Sequence, residues 1–466
     1  MRRISLLAVV VLLTAATMLL SREPQPDARL KRASRAPARN GWIQVHLEGS
    51  PSEIGFQHGY LLAPEIHDNF RTLSAELQHD ERKDWAFFRQ AARDVFWPRV
   101  DEEYRQELQG IVEGLKARNL RLDLWDVVAM NAALEFSYYD KWLERNRGLK
   151  ITGSTAEHCS AFVATGSYTR DGRIVIGHNN WSSYADGARW NIVFDITPAQ
   201  GHRVLMDGMP GLIHSGDDFG INSAGIAITE TTISKFVGFD PAGIPEFVRA
   251  RKAMQYSASI DDFARIMKDG NNGGYANNWL VADRKNNEIA SLELGLKVVT
   301  LQRTTDGYFA GANFVVNPKL AEEEAPEYNF NDKGFSNNAR RERWQQLMVE
   351  NKGKIDVEAG QRFLGDHFDT FQNKTEANER TLCGHIDLSP RGSLPWQPPF
   401  GIAGTVQSKV TDSAGVESMT LQASLGPSCG IHFKAAEHLK QHPEFAWQRD
   451  ILRDLPSQPW TTFSVK

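Results

Sequence analysis

The chain has 466 residues, of which 41% are hydrophobic and 24% are charged, and its formal net charge is -5. That apolar content over that length is enough to bury a large core, so the chain is not a disordered tail. The mildly acidic balance excludes the basic surface that a nucleic-acid-binding protein needs, and it gives no electrostatic attraction to anionic membranes.

The first 20 residues have the pattern of an export signal. Arg2 and Arg3 precede an apolar run from Ile4 to Leu20, as a basic region precedes a hydrophobic region in a signal peptide. The run is close to the shortest segment that spans a bilayer and no clear cleavage site follows it, so an uncleaved membrane anchor is the alternative. We expect an exported protein, whether periplasmic, secreted or lumenal, with any membrane association made through this segment.

Residues 21–40 are rich in Pro, Arg and Ala and predict a disordered linker. The following region, 41–158, predicts mainly helices. Residues 50–53 read S-P-S-E, the signature of a helix start with a capping box. Apolar residues at helical spacing continue over 62–77, where Pro64 predicts a kink. Further helical patterns cover 104–115 and 123–134.

After Cys159 the pattern changes to short strands separated by turn residues. Asp171 and Gly172 mark a hairpin between the first two of these strands. One helical block, 245–268, interrupts them, with an internal cap at Ser259. The predicted strands are 160–164, 173–178, 191–197, 226–233, 279–282, 289–294 and 298–303. Helices followed by hairpins favour an α+β fold in which helices cover antiparallel sheets.

The chain contains three cysteines, Cys159, Cys383 and Cys429. An odd number in an oxidising compartment leaves one thiol unpaired or pairs it between chains. One interpretation is three unrelated buried cysteines. The other is a Cys383–Cys429 disulfide with Cys159 free, which we expect because export favours oxidation and Cys159 is the cysteine with a candidate role.

Two other motifs give weak functional hypotheses. Residues 426–430 match G-x-S-x-G, the nucleophile elbow of α/β-hydrolases, but too little chain follows for the acid and histidine, and no parallel-sheet pattern precedes it. His438 and His442 lie four residues apart but lack the glutamate of H-E-x-x-H, so we interpret them as surface histidines. We therefore predict no metal site and no cofactor.

Cys159 is the stronger candidate, because it stands where a polar segment meets a strand. If the chain were cut before Cys159, the new α-amino group, with an ordinary pKa of about 7.7 to 8.0, would be a base next to the thiol nucleophile. A small buried core cysteine is the alternative interpretation.

The residues around Cys159 resemble the start of the mature catalytic chain in phospholipase B-like proteins. The similar stretches are Cys159 to Phe162 and Gly177 to Tyr184. These proteins share the N-terminal-nucleophile fold with the penicillin-acyltransferase and bile-salt-hydrolase groups. Further stretches similar to the family follow in the family order: Ser215 to Phe219, Glu230 to Ile233, Tyr275 to Trp279, Lys409 to Thr411 and Ala423 to Pro427. Upstream, Gly55 to Gly59 is similar to the helix found in propeptides of the acyltransferase relatives. The chain departs from the family at Ala276 and Asn278, which replace Asn and Gln beside the expected oxyanion pocket.

The resemblance implies a four-layer αββα sandwich that processes itself. The Cys159 thiol would attack the His158 carbonyl, so that 41–158 is a propeptide region and 159–466 the catalytic chain. It also implies that His178 and Trp181 lie near the nucleophile.

The same resemblance makes Asn277 the oxyanion donor and Arg340 a charge beside the site. Each has a structural alternative: His178 as a wall residue, Trp181 as core, Asn277 as a turn former, and Arg340 as part of a solvated charge run. Asp217 and Asp218 either line the site or cap a turn.

The resemblance implies hydrolysis of acyl bonds through a thioester on Cys159. By the family name, the expected substrates are phospholipid acyl esters. An amidase or acyltransferase acting on N-acyl compounds is the second interpretation, and an inactive exported lipid-binding protein is the third. The expected partner is a small acyl or lipid substrate.

Overall fold

The computed structural model describes residues 27–149, 159–392 and 397–465. Two large sheets form the centre of the fold. One has nine strands in the order β1-β2-β5-β6-β7-β8-β9-β10-β11, and the other has six in the order β12-β3-β4-β15-β16-β17. Neighbouring strands are antiparallel except for the parallel pair β2 and β5. A small two-stranded sheet joins β13 to β14.

The strand bounds are β1 Ser34–Arg35, β2 Ile43–Gly49, β3 Ser160–Thr165, β4 Val175–Ser183, β5 Ile192–Pro198, β6 Val204–Gly208, β7 Gly220–Asn222, β8 Ile226–Thr232, β9 Asn277–Asp283, β10 Glu288–Leu294, β11 Val299–Thr304, β12 Gly307–Gly311, β13 Phe368–Asp369, β14 Lys374–Thr375, β15 Ala403–Asp412, β16 Thr420–Leu425 and β17 Thr461–Ser464.

The helix bounds are α1 Pro51–Leu61, α2 Ala63–Glu81, α3 Trp85–Ala91, α4 Glu102–Ala117, α5 Leu124–Asn131, α6 Phe136–Asn146, α7 Tyr184–Gly187, α8 Glu246–Tyr256, α9 Ile260–Lys268, α10 Pro318–Glu324, α11 Ser336–Glu350, α12 Val357–Leu364, α13 Ser413–Glu417 and α14 Ala435–Gln441.

Alternation along the strands makes both faces of each sheet apolar. Side chains of successive strand residues point to opposite faces. On β3, Ala161 and Val163 belong to the core between the two sheets, whereas Phe162 belongs to the core under the helices. On β9, Leu280 and Trp279 divide in the same way. The central strands of both sheets are therefore buried on two sides, which explains why these strands lack a clean polar face.

Helices cover the two outer faces. Helix α9 packs on β9 and β10, where Phe263 lies 5.5 Å from Trp279 between ring centroids. Helices α11 and α12 cover the six-stranded sheet, and the Trp344 ring lies 5.3 Å from Phe162. The layers follow the order helix, sheet, sheet, helix, so the predicted α+β sandwich is confirmed.

Glycines allow α1 and α4 to approach closely. A Cβ at Gly55 would lie 1.9 Å from the Glu107 carbonyl oxygen, and one at Gly59 would lie 2.1 Å from that of Ile111. Side chains at these positions would separate the helices. This packing accounts for the glycines of the Gly55 to Gly59 stretch.

Two local predictions need correction, and the membrane anchor stays a prediction. Part of the expected linker, from Asp27 to Asn40, is structured: it contains a 3-10 helix, Ala28–Arg32, and strand β1. Pro64 does not kink a helix, because α1 ends at Leu61 and Pro64 stands in the first turn of α2, where its missing N–H is tolerated. Within the described residues, every helix is too short or too polar to cross a bilayer. Residues 1–20 lie outside them.

Candidate active site

Cys159 lies immediately before β3 and is fully buried. Its backbone φ of 99° falls in the left-handed region, which a residue with a side chain seldom adopts. Holding a residue there costs on the order of 1 to 3 kcal/mol. The surrounding structure must therefore fix the Cys159 backbone.

Arg340, on α11, holds the Cys159 backbone through a hydrogen bond. One terminal nitrogen donates to the Cys159 carbonyl at 2.7 Å and to the Ser160 hydroxyl at 3.2 Å. The other terminal nitrogen donates to Asn313 Oδ1 at 3.1 Å. The guanidinium carbon lies 4.2 Å from the centroid of the Trp181 ring. Arg340 is therefore a buried anchor of the candidate nucleophile, and the alternative of a solvated charge run is wrong for this residue.

The Cys159 thiol is held in its neutral form. Burial raises the pKa of Cys159 well above its ordinary value, and the carboxylates of Glu230 and Asp217 raise it further. The Trp181 backbone N–H and the Lys409 ammonium lower the pKa of Cys159, but they do not offset burial. The thiol consequently needs a base before it can attack a carbonyl.

His178 lies one strand away and is a poor candidate for that base. The register of β3 and β4 pairs it with Ala161, and its Nδ1 is 3.7 Å from Asp217 Oδ2. Burial, followed by the positive charge of Lys409, lowers the pKa of His178 to about 3. A neutral imidazole with so low a pKa accepts a proton weakly.

Trp181 points to the opposite side of β4 from His178. Alternation places His178 and Asn180 with Ile176 between the sheets, and places Asn179 and Trp181 toward the outer layer. The Trp181 indole N–H donates to the Leu382 carbonyl at 3.3 Å. Trp181 therefore supports Arg340 from the outer side of the sheet.

A buried ion cluster lies between the sheets near His178. The Lys409 ammonium contacts the carboxylates of Asp207, at 3.1 Å, and Asp217. Ser215 Oγ lies 3.1 Å from the Asp207 carboxylate and 2.6 Å from the Asp217 carboxylate, so its single hydroxyl proton can be donated to either of them. Burial alone would lower the pKa of Lys409, but the two carboxylates outweigh it and raise that pKa. The two roles considered for Asp217 were lining the site and capping a turn, and the structure places its carboxylate in this buried cluster.

Asn277 begins β9 and is fully buried. It pairs with Thr232, whose carbonyl accepts from the Asn313 amide at 3.1 Å, and Asn313 in turn binds Arg340. Neither amide atom of Asn277 has a hydrogen-bond partner among the described residues. Alternation places its side chain on the same face of the sheet as Trp279, which is the face covered by helices and not the one between the sheets. The role of Asn277 as oxyanion donor therefore stays a prediction.

A cavity of about 650 Å³ reaches the sheet at Asn180 and Tyr275. This volume is in the range of ligand pockets. The apolar part of its wall is formed by Leu73, Leu77, Met130, Ala133, Leu134, Trp181, Trp190, Met209 and Leu212. Asn180 Nδ2 is buried without a hydrogen-bond partner among the described residues, so Asn180 is a second candidate donor. In the sequence, Asn180 is one of two adjacent asparagines in the Gly177 to Tyr184 stretch. The resemblance points to His178 and Trp181 of that stretch as site residues, and not to Asn180.

Sequence reasoning also missed the roles of Lys409 and Asp207. Lys409 lay in a stretch similar to the family, but a lysine in a polar strand gives no sign that it is buried between two sheets. Asp207 lies in β6, a strand that the sequence patterns do not predict, and its pairing with Lys409 depends on β6 and β15 facing each other.

The predicted Cys383–Cys429 disulfide is wrong, because both residues are free thiols. The ring of His385 stands beside both sulfur atoms, with Nε2 at 3.5 Å from Cys383 Sγ and at 3.4 Å from Cys429 Sγ. His158, on the other side of the predicted cleavage site, lies outside the described residues.

Comparison with known proteins relates this chain to one family. The model of the Phospholipase B family matches residues 55–310. An uncharacterized protein of Archaeoglobus fulgidus is 25% identical over 70% of this chain and 58% of its own length. A putative phospholipase B-like 2 of Bos taurus is 26% identical over 58% of this chain and 53% of its own. Phospholipase B-like 1 of Homo sapiens is 25% identical over 54% of this chain and 51% of its own. The chain thus spans about half the length of these curated relatives.

Proposed function

Since the chain belongs to the phospholipase B family, we propose that it is a hydrolase of acyl bonds, with phospholipid acyl esters as the substrates and Cys159 as the nucleophile. The observation that carries the proposal is the arrangement of Cys159: a buried thiol with a strained backbone, anchored by Arg340, whose guanidinium packs on Trp181, a residue that lines a partly apolar cavity.

The strain at Cys159 favours self-cleavage of the bond before it. A positive φ is unfavourable because the side chain crowds the carbonyl of the preceding residue. Hydrolysis of the His158–Cys159 bond removes that carbonyl from the chain and releases the strain, on the order of 1 to 3 kcal/mol. The Arg340 contact is to the Cys159 carbonyl, on the other side of the residue, so it would survive the cut.

Cleavage would also supply the missing base. The pKa of Cys159 is raised by burial and the pKa of His178 is about 3, so neither group generates a thiolate by itself near neutral pH. A free α-amino group, with an ordinary pKa of about 7.7 to 8.0, is a better match to that pH. It would lie on the nucleophilic residue itself, within reach of the thiol.

The proposed reaction has two steps. The α-amine accepts the thiol proton as sulfur adds to the substrate carbonyl carbon, and the same proton passes to the departing alcohol oxygen when the ester C–O bond breaks. Water then adds to the thioester carbonyl with the amine as base, and the C–S bond breaks to give the free acid and the thiol. An amide donor, for which Asn277 is our candidate, would stabilise the oxyanion in both steps.

The cavity suits an acyl chain. Its apolar side chains, which include Leu77, Leu134 and Leu212, can bury methylene groups at about 0.8 kcal/mol each. Burial, and then the neighbouring Asp186, raises the pKa of Glu76 well above its ordinary value, so this carboxyl adds little negative charge to the wall. The same features fit an N-acyl amide, which leaves amide hydrolysis as the alternative activity.

The test is a comparison of wild type, Cys159→Ala and Ser428→Ala after mildly acidic incubation. We expect wild type and Ser428→Ala to yield a chain beginning at Cys159 and to hydrolyse phospholipid, and Cys159→Ala to stay uncut and inactive. Ser428 is the control because it is the serine of the G-x-S-x-G match. An intact wild-type chain that is fully active would contradict the terminal-nucleophile mechanism. Activity lost in Ser428→Ala alone would move the nucleophile to the serine.

The same panel separates the substrates. Phospholipids, lysophospholipids and N-acyl amides would be compared at equal acyl-chain length. Faster turnover of the amides than of every lipid ester would replace the phospholipase proposal with the amidase one. Processing without turnover of any acyl substrate would favour a binding protein.

A further inference from the structure

Four potential metal ligands from separate parts of the chain meet beside the outer face of the six-stranded sheet. They are His367, Cys383, His385 and Cys429, and one ligand atom of each lies within 4.8 Å of all the others. Cys383 and His385 are buried, whereas His367 and Cys429 are half-buried. Neither sulfur is in a disulfide.

The distances fit a tetrahedral ion. Zinc binds Cys sulfur at about 2.3 Å and His nitrogen at about 2.0 to 2.1 Å, which at tetrahedral angles places sulfur and nitrogen about 3.6 Å apart. The two sulfur atoms lie 3.5 Å and 3.4 Å from His385 Nε2. An S–H···N hydrogen bond would account for one of these contacts, but a neutral imidazole nitrogen cannot accept well from two thiols at once.

We propose that His367, Cys383, His385 and Cys429 bind one zinc ion as a closed structural site. Two thiolates and two imidazoles are the ligand set of Cys₂His₂ zinc sites, and soft sulfur ligands in tetrahedral geometry favour zinc over magnesium or calcium. Four protein ligands leave no open position, so the ion would not activate water. The proposal is independent of the acyl hydrolysis proposed above.

The groups behind His385 support this assignment. With Nε2 facing the sulfur atoms, Nδ1 faces Asp387, whose Oδ1 is 3.8 Å away. Asp387 Oδ1 also accepts from the Tyr184 hydroxyl at 2.6 Å. His385 Nδ1 is buried and has no hydrogen-bond partner among the described residues. Metal-binding histidines usually direct their second nitrogen to a carboxylate or carbonyl, and this arrangement needs only a small closure to do so.

The site would join three segments that otherwise have little in common. His367 follows α12, Cys383 and His385 lie in the loop before β15, and Cys429 follows β16. Cys429 belongs to the G-x-S-x-G match, so this turn would present a metal ligand and not a catalytic serine. A zinc ion would hold the loop against the end of the sheet.

That loop supports the outer side of the candidate active site. The Leu382 carbonyl accepts from Asn179 Nδ2 at 2.8 Å and from the Trp181 indole at 3.3 Å. Gly384 lies so close that a Cβ there would be 2.1 Å from the indole. Since Trp181 in turn packs under Arg340, we expect loss of the metal to loosen the support of Arg340.

The experiment measures zinc in the full-length protein, produced with zinc in the medium and exchanged into chelator-free buffer. We expect about one zinc ion per chain in wild type by inductively coupled plasma mass spectrometry. Cys429→Ser and His367→Gln should lose most of it, and both change half-buried ligands so that folding is disturbed least. Cys159→Ala and His442→Gln are the matched controls and should keep the ion.

A second measurement uses wild type alone, in case the variants do not fold. Titration of the two ligand thiols with a mercurial reagent should release zinc in proportion to the thiols that react. Removal of zinc with a strong chelator should lower the melting temperature. Zinc-free wild type, zinc content unchanged in both ligand variants, or a Cys383–Cys429 disulfide in native peptide maps would each overturn the proposal.

Discussion

Replacing Asn277 by leucine should make the protein more stable and less active. Both amide atoms of Asn277 are buried and lack hydrogen-bond partners among the described residues. An unsatisfied buried polar group costs about 1 to 3 kcal/mol, and leucine fills a similar volume without polar atoms. We therefore expect Asn277→Leu to raise the free energy of unfolding by up to that amount.

The catalytic effect should have the opposite sign. If the amide donates to the oxyanion, its loss removes an interaction that forms in the transition state, typically worth about 10² to 10³ in turnover or roughly 2.7 to 4 kcal/mol. The value of kcat should fall by that factor while KM changes little. An unpaired amide is tolerated in a folded protein when function requires it, so the two effects together are the signature of this role.

Urea unfolding measures the first effect, and steady-state kinetics on the processed fraction measure the second. Asn278→Leu is the control, because Asn278 Oδ1 accepts from Ser291 at 2.7 Å and its removal should destabilise the protein. Asn180→Leu tests the second candidate donor. Normal kcat in processed Asn277→Leu would refute the reasoning, and a loss confined to Asn180→Leu would assign the role to Asn180.

Further predictions concern the buried charges. Lys409→Met should cost about 3 to 5 kcal/mol of stability in urea unfolding, because it leaves the Asp217 carboxylate buried without its cation. Adding Asp217→Asn should restore part of that stability, and a loss below about 1 kcal/mol in Lys409→Met would contradict the reasoning. Burial and then Asp217 raise the pKa of Asp207 from 3.8 to about 8, so its protonated form adds stability that is complete below the unfolded pKa and is lost as pH rises through about 8. Wild type should therefore lose stability relative to Asp207→Asn over that window, and parallel pH profiles would exclude the shift. Arg340→Lys should slow cleavage before Cys159 by about 10²-fold through misplacement of the nucleophile, followed by mass spectrometry, whereas Arg343→Lys on the same helix should cleave normally.

Local signals in the sequence predicted much of the fold. The capping box at residues 50–53 is present, with the Glu53 carboxylate accepting from the Ser50 N–H at 2.8 Å. Ser259 caps α9 as expected, accepting from the Asp262 N–H at 3.1 Å. These features depend on residues within one helical turn of each other, so the sequence determines them locally.

The errors came from contacts between distant residues. Cys383 and Cys429 were assigned a disulfide by counting cysteines, but the two histidines that accompany them, His367 and His385, are separated too irregularly along the chain to form a recognisable metal motif. Lys409 was equally hidden, because its partners Asp207 and Asp217 come from strand β6 and the loop after it. Burial of a charge is decided by the packing of two sheets, and periodicity along one strand does not record it.

Strand β4 explains why the sequence points to a candidate site but does not assign a role to each residue in it. On its inward face, His178 lies beside the buried charges and Asn180 lines the cavity. On its outward face, Asn179 and Trp181 contact the loop of Cys383, and Trp181 also reaches the cavity wall. The sequence shows this strand as one continuous similar stretch, although its two faces serve different purposes. A substitution at Trp181 should therefore act through the position of Arg340, whereas one at His178 should act on the charges beside the thiol. The distinction between the face beside the buried charges and the face beside the Cys383 loop becomes available only when the alternation of the strand is combined with the layers on each side of it.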